Sequence, residues 1–128
     1  MAHVHAHIGK ERYAVAIEAR GHRLAADEPE ALCGGDTGPA PFDLLLSSLG
    51  ACTAITLQMY AERKQWPLEA VDIDLRYIKT VDEAHIERAI TVTGELAPEQ
   101  KARLAEIAEK TPVTLVLKPG IDIRTELR

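Results

Sequence analysis

Cys52 is the residue of this sequence with the clearest potential for covalent chemistry. It lies within the segment 41–60, and the residues around it are small: Ser47, Ser48, Gly50, Ala51 and Ala54. Small side chains allow another helix or backbone to come close to the sulfur, and amide dipoles with a nearby cation favour the thiolate, which is the reactive form. A reactive thiol is therefore one interpretation of Cys52. A small hydrophobe buried in a close helix contact is the other, because free cysteines most often play that part.

Cys33 is the second cysteine, and it begins the glycine-rich segment 33–39. The glycines permit backbone conformations with φ > 0, so this loop is expected to approach the start of the following helix. A disulfide with Cys52 would need the two α-carbons to lie about 4.4 to 6.8 Å apart. Two interpretations stay open, a partner thiol for Cys52 and an exposed loop cysteine. The segment lacks the Gly-Lys-Ser/Thr of a phosphate loop and the strand-to-helix context of a dinucleotide site, so no cofactor is predicted.

Three histidines, His3, His5 and His7, alternate with apolar residues near the N-terminus. This period of two predicts a strand that carries all three imidazoles on one face. Neighbours on one strand face lie about 7 Å apart, and no cysteine or carboxylate joins these histidines locally. We therefore predict a solvated strand face and no metal site.

Composition and charge exclude several classes of protein. A chain of 128 residues fits one domain, residues 1–128. The net charge is −5, with acids and bases interleaved, so no nucleic-acid partner is predicted. The N-terminus has neither the basic region nor the apolar run of a secretory signal, which predicts a cytoplasmic protein with reduced cysteines. The apolar run 44–57 is shorter than the roughly 20 residues of a membrane span, so no membrane association is predicted.

The segment Pro41–Lys64 predicts one long helix that contains Cys52. Pro41 suits the first turn, where its missing N–H would have no partner, and Asp43 places negative charge at the positive end of the helix dipole. Lys64 and the following Trp66-Pro67 favour a helix end there. Apolar residues cover all sides of this helix, a pattern typical of a helix that other elements surround.

The rest of the chain predicts an antiparallel arrangement of strands with a second helix. Alternating apolar residues predict strands at 3–8, 12–20, 23–26, 71–78 and 121–124, and a further strand around 86–92 whose register the pattern leaves open. An amphipathic pattern predicts a helix from Pro98 to Lys110. The short apolar segment 113–117 fits either type of element.

A family resemblance lies in the helix and its approach, in the segments 38–46, GPAPFDLLL, and 49–54, LGACTA. These segments resemble the OsmC/Ohr family, the osmotically induced and organic hydroperoxide resistance proteins. The resemblance extends over nearly the whole chain, including Gly21-His22, Trp66-Pro67 and the segment 110–113. The resemblance implies an OsmC-like α+β fold in which a long buried central helix is wrapped by antiparallel sheet. It also implies an intertwined homodimer with active sites at the interface.

The resemblance also implies roles for particular residues. Family members reduce organic hydroperoxides with a helix cysteine as attacking thiolate, and Cys52 matches that position. A second family cysteine closes a disulfide, but its position holds Thr111 here, and threonine cannot form that bond. The family's supporting arginine comes from the first hairpin, which favours Arg12, and Arg20 and Arg23 of the following strands are the alternatives. The family's acid near the helix start is placed at Asp43.

Three hypotheses about function follow from that pattern. The first is a thiol-dependent peroxidase that acts on small organic hydroperoxides through Cys52, with Cys33 or an external thiol reductant completing the cycle. The second is a binding protein that holds a hydrophobic small molecule at the dimer interface. The third is a dimeric scaffold with a decayed site. Thr111 separates them, because a cysteine at that position would favour the first alone.

Overall fold

The computed structural model describes residues 1–128. Its strands and helices follow one another in this order: β1 His5–Ile8, β2 Val15–Ala19, β3 His22–Ala26, α1 Pro41–Lys64, β4 Ala70–Lys79, β5 Ala84–Thr93, α2 Pro98–Ala108 and α3 Pro112–Leu117. All strand pairs are antiparallel, which confirms the predicted α+β class. The backbone divides into two compact units, residues 1–45 and residues 46–128, which we call the N-terminal and C-terminal units. The single-domain organisation stays a prediction.

The N-terminal unit is built on a three-stranded sheet in the order β1-β2-β3. His5 lies opposite Glu18, and Glu18 lies opposite Arg23, so these three residues form one cross-strand row. His7 occupies the next row of the same face, opposite Ala16, and both histidines are exposed. Alternation along β1 therefore places His5 and His7 on a solvated face. No group of three or more His, Cys, Asp or Glu side chains is arranged to hold a metal ion.

α1 has the boundaries that the sequence predicts, Pro41–Lys64. Its buried residues recur every fourth position: Leu49, Thr53, Leu57 and Ala61. This spacing places them along one face of the helix, which packs on the rest of the C-terminal unit. Within a single chain, several large apolar residues on its other sides stay exposed. The helix is thus covered along one face by its own chain.

α1 also has the length and apolar composition of a helix that could cross a membrane. It has 24 residues, more than the apolar run 44–57 on which the prediction of no membrane association relied. The core helix of a soluble protein passes the same test, so this is weak evidence for a membrane protein. The prediction of no membrane association remains a prediction, and helix length does not support it.

β4 and β5 form a long hairpin with ten residue pairs from Ala70↔Thr93 to Lys79↔Ala84. Side chains alternate between half-buried and exposed along most of both strands, as the sequence predicts for β4. α1 lies close to this hairpin at Gly50, where an added Cβ would come within 2.9 Å of Leu75 Cδ1. The absence of a side chain at Gly50 therefore permits the close approach of helix and strand.

α2 and α3 complete the C-terminal unit. α2 begins at Pro98, as predicted, and ends at Ala108. The ambiguous segment near 113–117 is helical, since α3 runs from Pro112 to Leu117. The core of this unit is a cluster of five buried residues: Leu57, Ala61, Leu68, Leu104 and Ala108.

The last predicted strand is absent. Residues 121–124 have no regular secondary structure, and Ile121 and Ile123 are both largely exposed. Alternation alone does not make a strand, because its backbone groups need a neighbouring strand to pair with. This single chain provides no neighbour for the segment.

Candidate functional site

Cys52 lies in the middle of α1 and carries a free, half-buried thiol. Ile55 and Met59 follow it at helical spacings of three and seven residues, so the three side chains share one side of the helix. Ile55 is 56% exposed and Met59 is 58% exposed in the single chain. We call these three residues the cysteine face of α1. The thiol therefore lies beside an uncovered apolar surface.

Thr53, the residue after Cys52, is fully buried and faces the hairpin. Its hydroxyl donates to the carbonyl oxygen of Leu49 at 2.7 Å, one turn earlier in α1. The Thr53 hydroxyl oxygen in turn accepts a hydrogen bond from Arg88 Nη1 at 2.9 Å. A guanidinium is thus bonded to α1 at the position next to the cysteine.

Arg88 joins four elements of the C-terminal unit. From β5, its Nη1 donates to Thr53 Oγ1 and, at 3.0 Å, to Thr114 Oγ1 of α3. Its Nη2 donates to the carbonyl oxygen of Ala108 at 3.0 Å, at the end of α2. The Arg88 side chain is only 11% exposed. Its charge is therefore held mainly by hydroxyl and carbonyl oxygens.

Glu109 is the carboxylate nearest to this guanidinium, with its Oε1 3.6 Å from Arg88 Nη2. It is 57% exposed and also forms an ion pair with Lys118. The hydrogen bond from Lys118 holds the pKa of the Glu109 carboxyl below its usual value, and the charge of Arg88 adds to the effect. Because this carboxylate is solvated and shared, it only partly neutralises Arg88.

Thr111, where the resemblance puts the family's second cysteine, is fully buried at the start of α3. Its Oγ1 accepts a hydrogen bond from the backbone N–H of Thr114 at 3.4 Å and lies 2.6 Å from Thr114 Oγ1. Thr111 therefore acts as the N-cap of α3. Through Thr114 it is also linked to Arg88, and so to α1.

A cleft of about 600 Å³ opens beside this network in the C-terminal unit. Apolar side chains form part of its wall, among them Leu49, Ile86 and Leu117. Arg88 and Glu109 supply polar groups on the same wall. The size and mixed lining suit a small molecule with an apolar part.

The N-terminal unit holds the other predicted thiol and the predicted arginine. Cys33 is exposed, and its backbone carbonyl accepts a hydrogen bond from Arg12 Nη1 at 2.7 Å. Asp27 is buried in the same unit and orders the glycine-rich loop through bonds from the Thr37 backbone N–H at 3.1 Å and hydroxyl at 2.6 Å. The hydroxyl bond from Thr37 holds the pKa of Asp27 below its ordinary value. Arg12 and Cys33 are thus neighbours.

Asp43 has a local structural contact at the start of α1. Its Oδ2 accepts a hydrogen bond from the backbone N–H of Ala40 at 3.0 Å. This bond supports the helix start, in keeping with the acidic first turn that the sequence predicts. The catalytic roles of Cys52, Arg12 and Asp43, and the resolving role of Cys33, stay predictions.

Arg88 is the site residue that sequence reasoning missed. It occupies the inward row of β5 together with Ile86 and Ile90, where alternation calls for an apolar residue. A charged residue in an otherwise apolar row was the available signal. The alternation pattern alone leaves the register of this strand open, so it does not place Arg88 within the row.

Comparisons with known proteins agree with this architecture. OsmC-like protein from Mycoplasma pneumoniae is similar at a TM-score of 0.79 and 15% identity, over 92% of this chain and 87% of that one. Organic hydroperoxide resistance protein OhrB of Bacillus subtilis is similar at a TM-score of 0.65 and 20% identity, over 100% and 98%. The organic hydroperoxide resistance protein OsmC of Legionella pneumophila is similar at a TM-score of 0.67 and 19% identity, over 92% and 89%. At these identities the likeness shows the fold alone.

The sequence comparisons decide the family. Among curated proteins, none matches this sequence significantly. The model of the OsmC family, described as OsmC-like protein, matches residues 34–126, a range that includes Cys52, Arg88 and Thr111. That range covers well over half of the chain and includes nearly all of the C-terminal unit. With its α+β fold and the resemblance around Cys52, the chain belongs to the OsmC-like protein family.

Proposed function

We propose that this protein is a thiol-dependent peroxidase that reduces small organic hydroperoxides, with Cys52 as the attacking thiolate. One observation carries the proposal: a free, half-buried thiol in α1 adjoins Thr53, which a largely buried guanidinium binds. Two structurally similar proteins bear the name organic hydroperoxide resistance protein, which supports this substrate class. A positive charge near the thiol favours the thiolate that such chemistry requires.

The proposed reaction has three steps. The Cys52 thiolate attacks the distal peroxide oxygen, the O–O bond breaks, and the alkoxide takes a proton and leaves as an alcohol. Cys52 is thereby oxidised to a sulfenic acid. A first reducing thiol then displaces water to form a mixed disulfide, and a second thiol attacks that disulfide and releases Cys52. Two thiols are oxidised for each hydroperoxide reduced.

The resemblance puts the family's second cysteine at the position that Thr111 occupies in this chain. Thr111 has a hydroxyl and no sulfur, so it cannot form a disulfide with Cys52. Its side chain is buried and caps α3. We therefore propose a one-cysteine mechanism in which an external thiol completes the reduction, and the alternative is that Cys33 acts as the resolving thiol. An external thiol is the simpler partner, because it requires no particular placement of the Cys33 loop.

A homodimer is part of the proposal. The cysteine face of α1 leaves Ile55 and Met59 more than half exposed in one chain. The C-terminal segment also exposes Ile121, Ile123 and Leu127. A second copy that covers such surfaces would remove apolar area from water, which favours association.

A second candidate function is the binding of a hydrophobic small molecule without turnover. Thr111 favours it, because a site without a second thiol is what a non-catalytic family member would have. The cleft beside Arg88, with a volume of about 600 Å³, is large enough for such a ligand.

Peroxide consumption by purified variants tests the two functions. The wild type, Cys52→Ser and Cys33→Ser should be incubated with tert-butyl hydroperoxide and either dithiothreitol or a monothiol. We expect turnover by the wild type and Cys33→Ser, and none by Cys52→Ser. If the wild type consumes no peroxide and a sulfenate-trapping reagent never labels Cys52, the peroxidase proposal is wrong and ligand binding takes its place.

A further inference from the structure

We infer that Arg88 is a positioning residue for Cys52, and that it fixes the turn of α1 that carries the thiol against α2, α3 and β5. The inference rests on the proposed function, since it concerns the reactivity of that thiol. Arg88 reaches three elements other than its own strand through Thr53, Thr114 and the carbonyl of Ala108.

The turn of α1 that contains Cys52 is held at both ends. Gly50 lies against Leu75 of β4, and Leu75 is the cross-strand partner of Arg88 in β5. Thr53, three residues further along α1, receives the hydrogen bond from Arg88. The segment between these two contacts therefore has a fixed position relative to the hairpin. Cys52 lies within it.

The position of Arg88 in the strand argues for a role beyond stability. Its inward row otherwise carries Ile86, Ile90 and Val92, and a further apolar side chain would suit the packing of that row. Replacing a buried cation and its partners by well-packed apolar residues is often neutral or stabilising. An arginine here is thus not required to build the hairpin, whereas its planar group with several donors bonds three elements at once.

The guanidinium also brings charge close to the thiol. Arg88 Nη1 is 2.9 Å from Thr53 Oγ1, and adjacent α-carbons are 3.8 Å apart, so this nitrogen lies within about 9 Å of the α-carbon of Cys52. At roughly 10 Å, Coulomb's law gives one unit charge an effect of about two- to fifteenfold on the rate at which an anionic sulfur reacts, for effective dielectric constants between those of water and a protein surface. The charge of Arg88 and the geometry of its hydrogen bonds contribute separately to the reactivity of Cys52. A lysine at position 88 would keep the charge and lose the geometry.

The same network ties α3 to α1 at the position where the family has its second cysteine. Thr111 is hydrogen-bonded to Thr114, Thr114 to Arg88, and Arg88 to Thr53. The chain of bonds runs from the N-cap of α3 to the residue beside Cys52. A non-covalent link thus joins the two segments that the family pattern would join by a disulfide, and it does not depend on the redox state of the thiol.

Four variants test the inference in the full chain, each in a Cys33→Ser background so that Cys52 is the one thiol. They are Arg88→Met, Arg88→Lys, Thr53→Val and, as a matched control, Arg76→Met, which removes an exposed arginine from the neighbouring strand. The measurements are kcat and KM for tert-butyl hydroperoxide and the rate of iodoacetamide alkylation of Cys52. Circular dichroism establishes that each variant is folded.

We expect Arg88→Met to lower kcat by about ten- to a hundredfold with KM changed little, because the reacting sulfur loses its fixed position. In the same variant, alkylation of Cys52 should be slower by a factor of about two to fifteen, because the positive charge near the sulfur is lost. Arg88→Lys should recover the alkylation rate without recovering kcat, since one ammonium cannot reproduce the planar set of bonds. Thr53→Val should lower kcat in the same direction, and Arg76→Met should match its parent.

Two results would overturn the inference: a folded Arg88→Met variant with parental kcat and alkylation rate, or an Arg88→Lys variant with parental kcat. If Arg88→Met does not fold, Thr53→Val decides, and a parental kcat in that variant refutes the positioning role. If the parent protein consumes no peroxide, the proposed function fails. The alkylation rates still test Arg88 in that case, and equal rates in all variants would refute its effect on Cys52.

Discussion

The cysteine face of α1 gives the most direct test of the proposed homodimer. Ile55 and Met59 are 56% and 58% exposed in one chain, although both lie beside the thiol. Complete burial of an Ile or Met side chain contributes about 1.5–3 kcal/mol of favourable free energy, so covering the exposed half in a dimer contributes about 1–1.5 kcal/mol to association. In a two-fold dimer each residue occurs twice, so the contribution doubles to about 2–3 kcal/mol. Ile55→Ala should therefore raise the dimer dissociation constant by about 30- to 150-fold.

Alanine suits this experiment because it is the best helix former, so α1 itself is not weakened. Sedimentation equilibrium over a range of concentrations measures the dissociation constants of the wild type, Ile55→Ala and Met59→Ala. Val81→Ala is the control, since Val81 is fully exposed in the turn between β4 and β5, at 102% of its reference area. A wild type that stays a folded monomer would refute the dimer. Unchanged dissociation constants in both helix variants would show that this face of α1 is not the interface.

Three further predictions concern stability. Leu57→Ala removes a fully buried core side chain and should lower the free energy of unfolding by about 2–5 kcal/mol in urea titrations; a change below about 1 kcal/mol would contradict the assigned core. Folding lowers the pKa of Asp27, mainly through the hydrogen bond from the Thr37 hydroxyl. The ionised carboxylate therefore stabilises the fold at pH values above the ordinary pKa of aspartate, and this contribution is lost as the pH falls through the lowered pKa. Asp27→Asn should therefore show a smaller loss of stability between about pH 6 and about pH 3 than the wild type, and an equal loss would refute this account. Gly94→Ala should lower the stability by more than about 1 kcal/mol in thermal unfolding, because the φ of 140° is strained for alanine and its Cβ would meet the carbonyl oxygen of Pro67; an unchanged Tm would contradict it.

The sequence predicted the main helix well because its signals are local. Pro41 and Asp43 mark the start of α1, and the basic residues before Trp66 mark its end, where the structure places them. The first hairpin and β4 were also predicted, since alternation of apolar and polar residues reports directly on a half-buried strand. Each of these features depends on residues that are close together along the chain.

Features that depend on tertiary partners were harder to predict. Residues 121–124 alternate like a strand but have no pairing partner within the chain, so they form none. The segment near 113–117 is too short for its hydrophobic period to be determined. The sequence alone also does not show that the Thr111 side chain accepts the hydrogen bond that caps α3. Arg88 could be placed in the site only after the register of β5 was known. Its bonds to α1, α2 and α3 join residues 20 to 35 positions away.

The position of the two cysteines limits how an oxidised Cys52 can be reduced. Cys52 is the one cysteine of residues 46–128, so no disulfide can form within the C-terminal unit. Thr111 cannot take part, because its side chain has no sulfur and already caps α3. Any partner sulfur must therefore come from Cys33 of this chain, from a cysteine of a second copy, or from a separate thiol. A separate thiol has to reach a half-buried sulfur, which favours a small reductant over a protein with a bulky active-site surface. On the proposed mechanism, a monothiol of low molecular weight should thus sustain turnover in the Cys33→Ser variant as well as in the wild type.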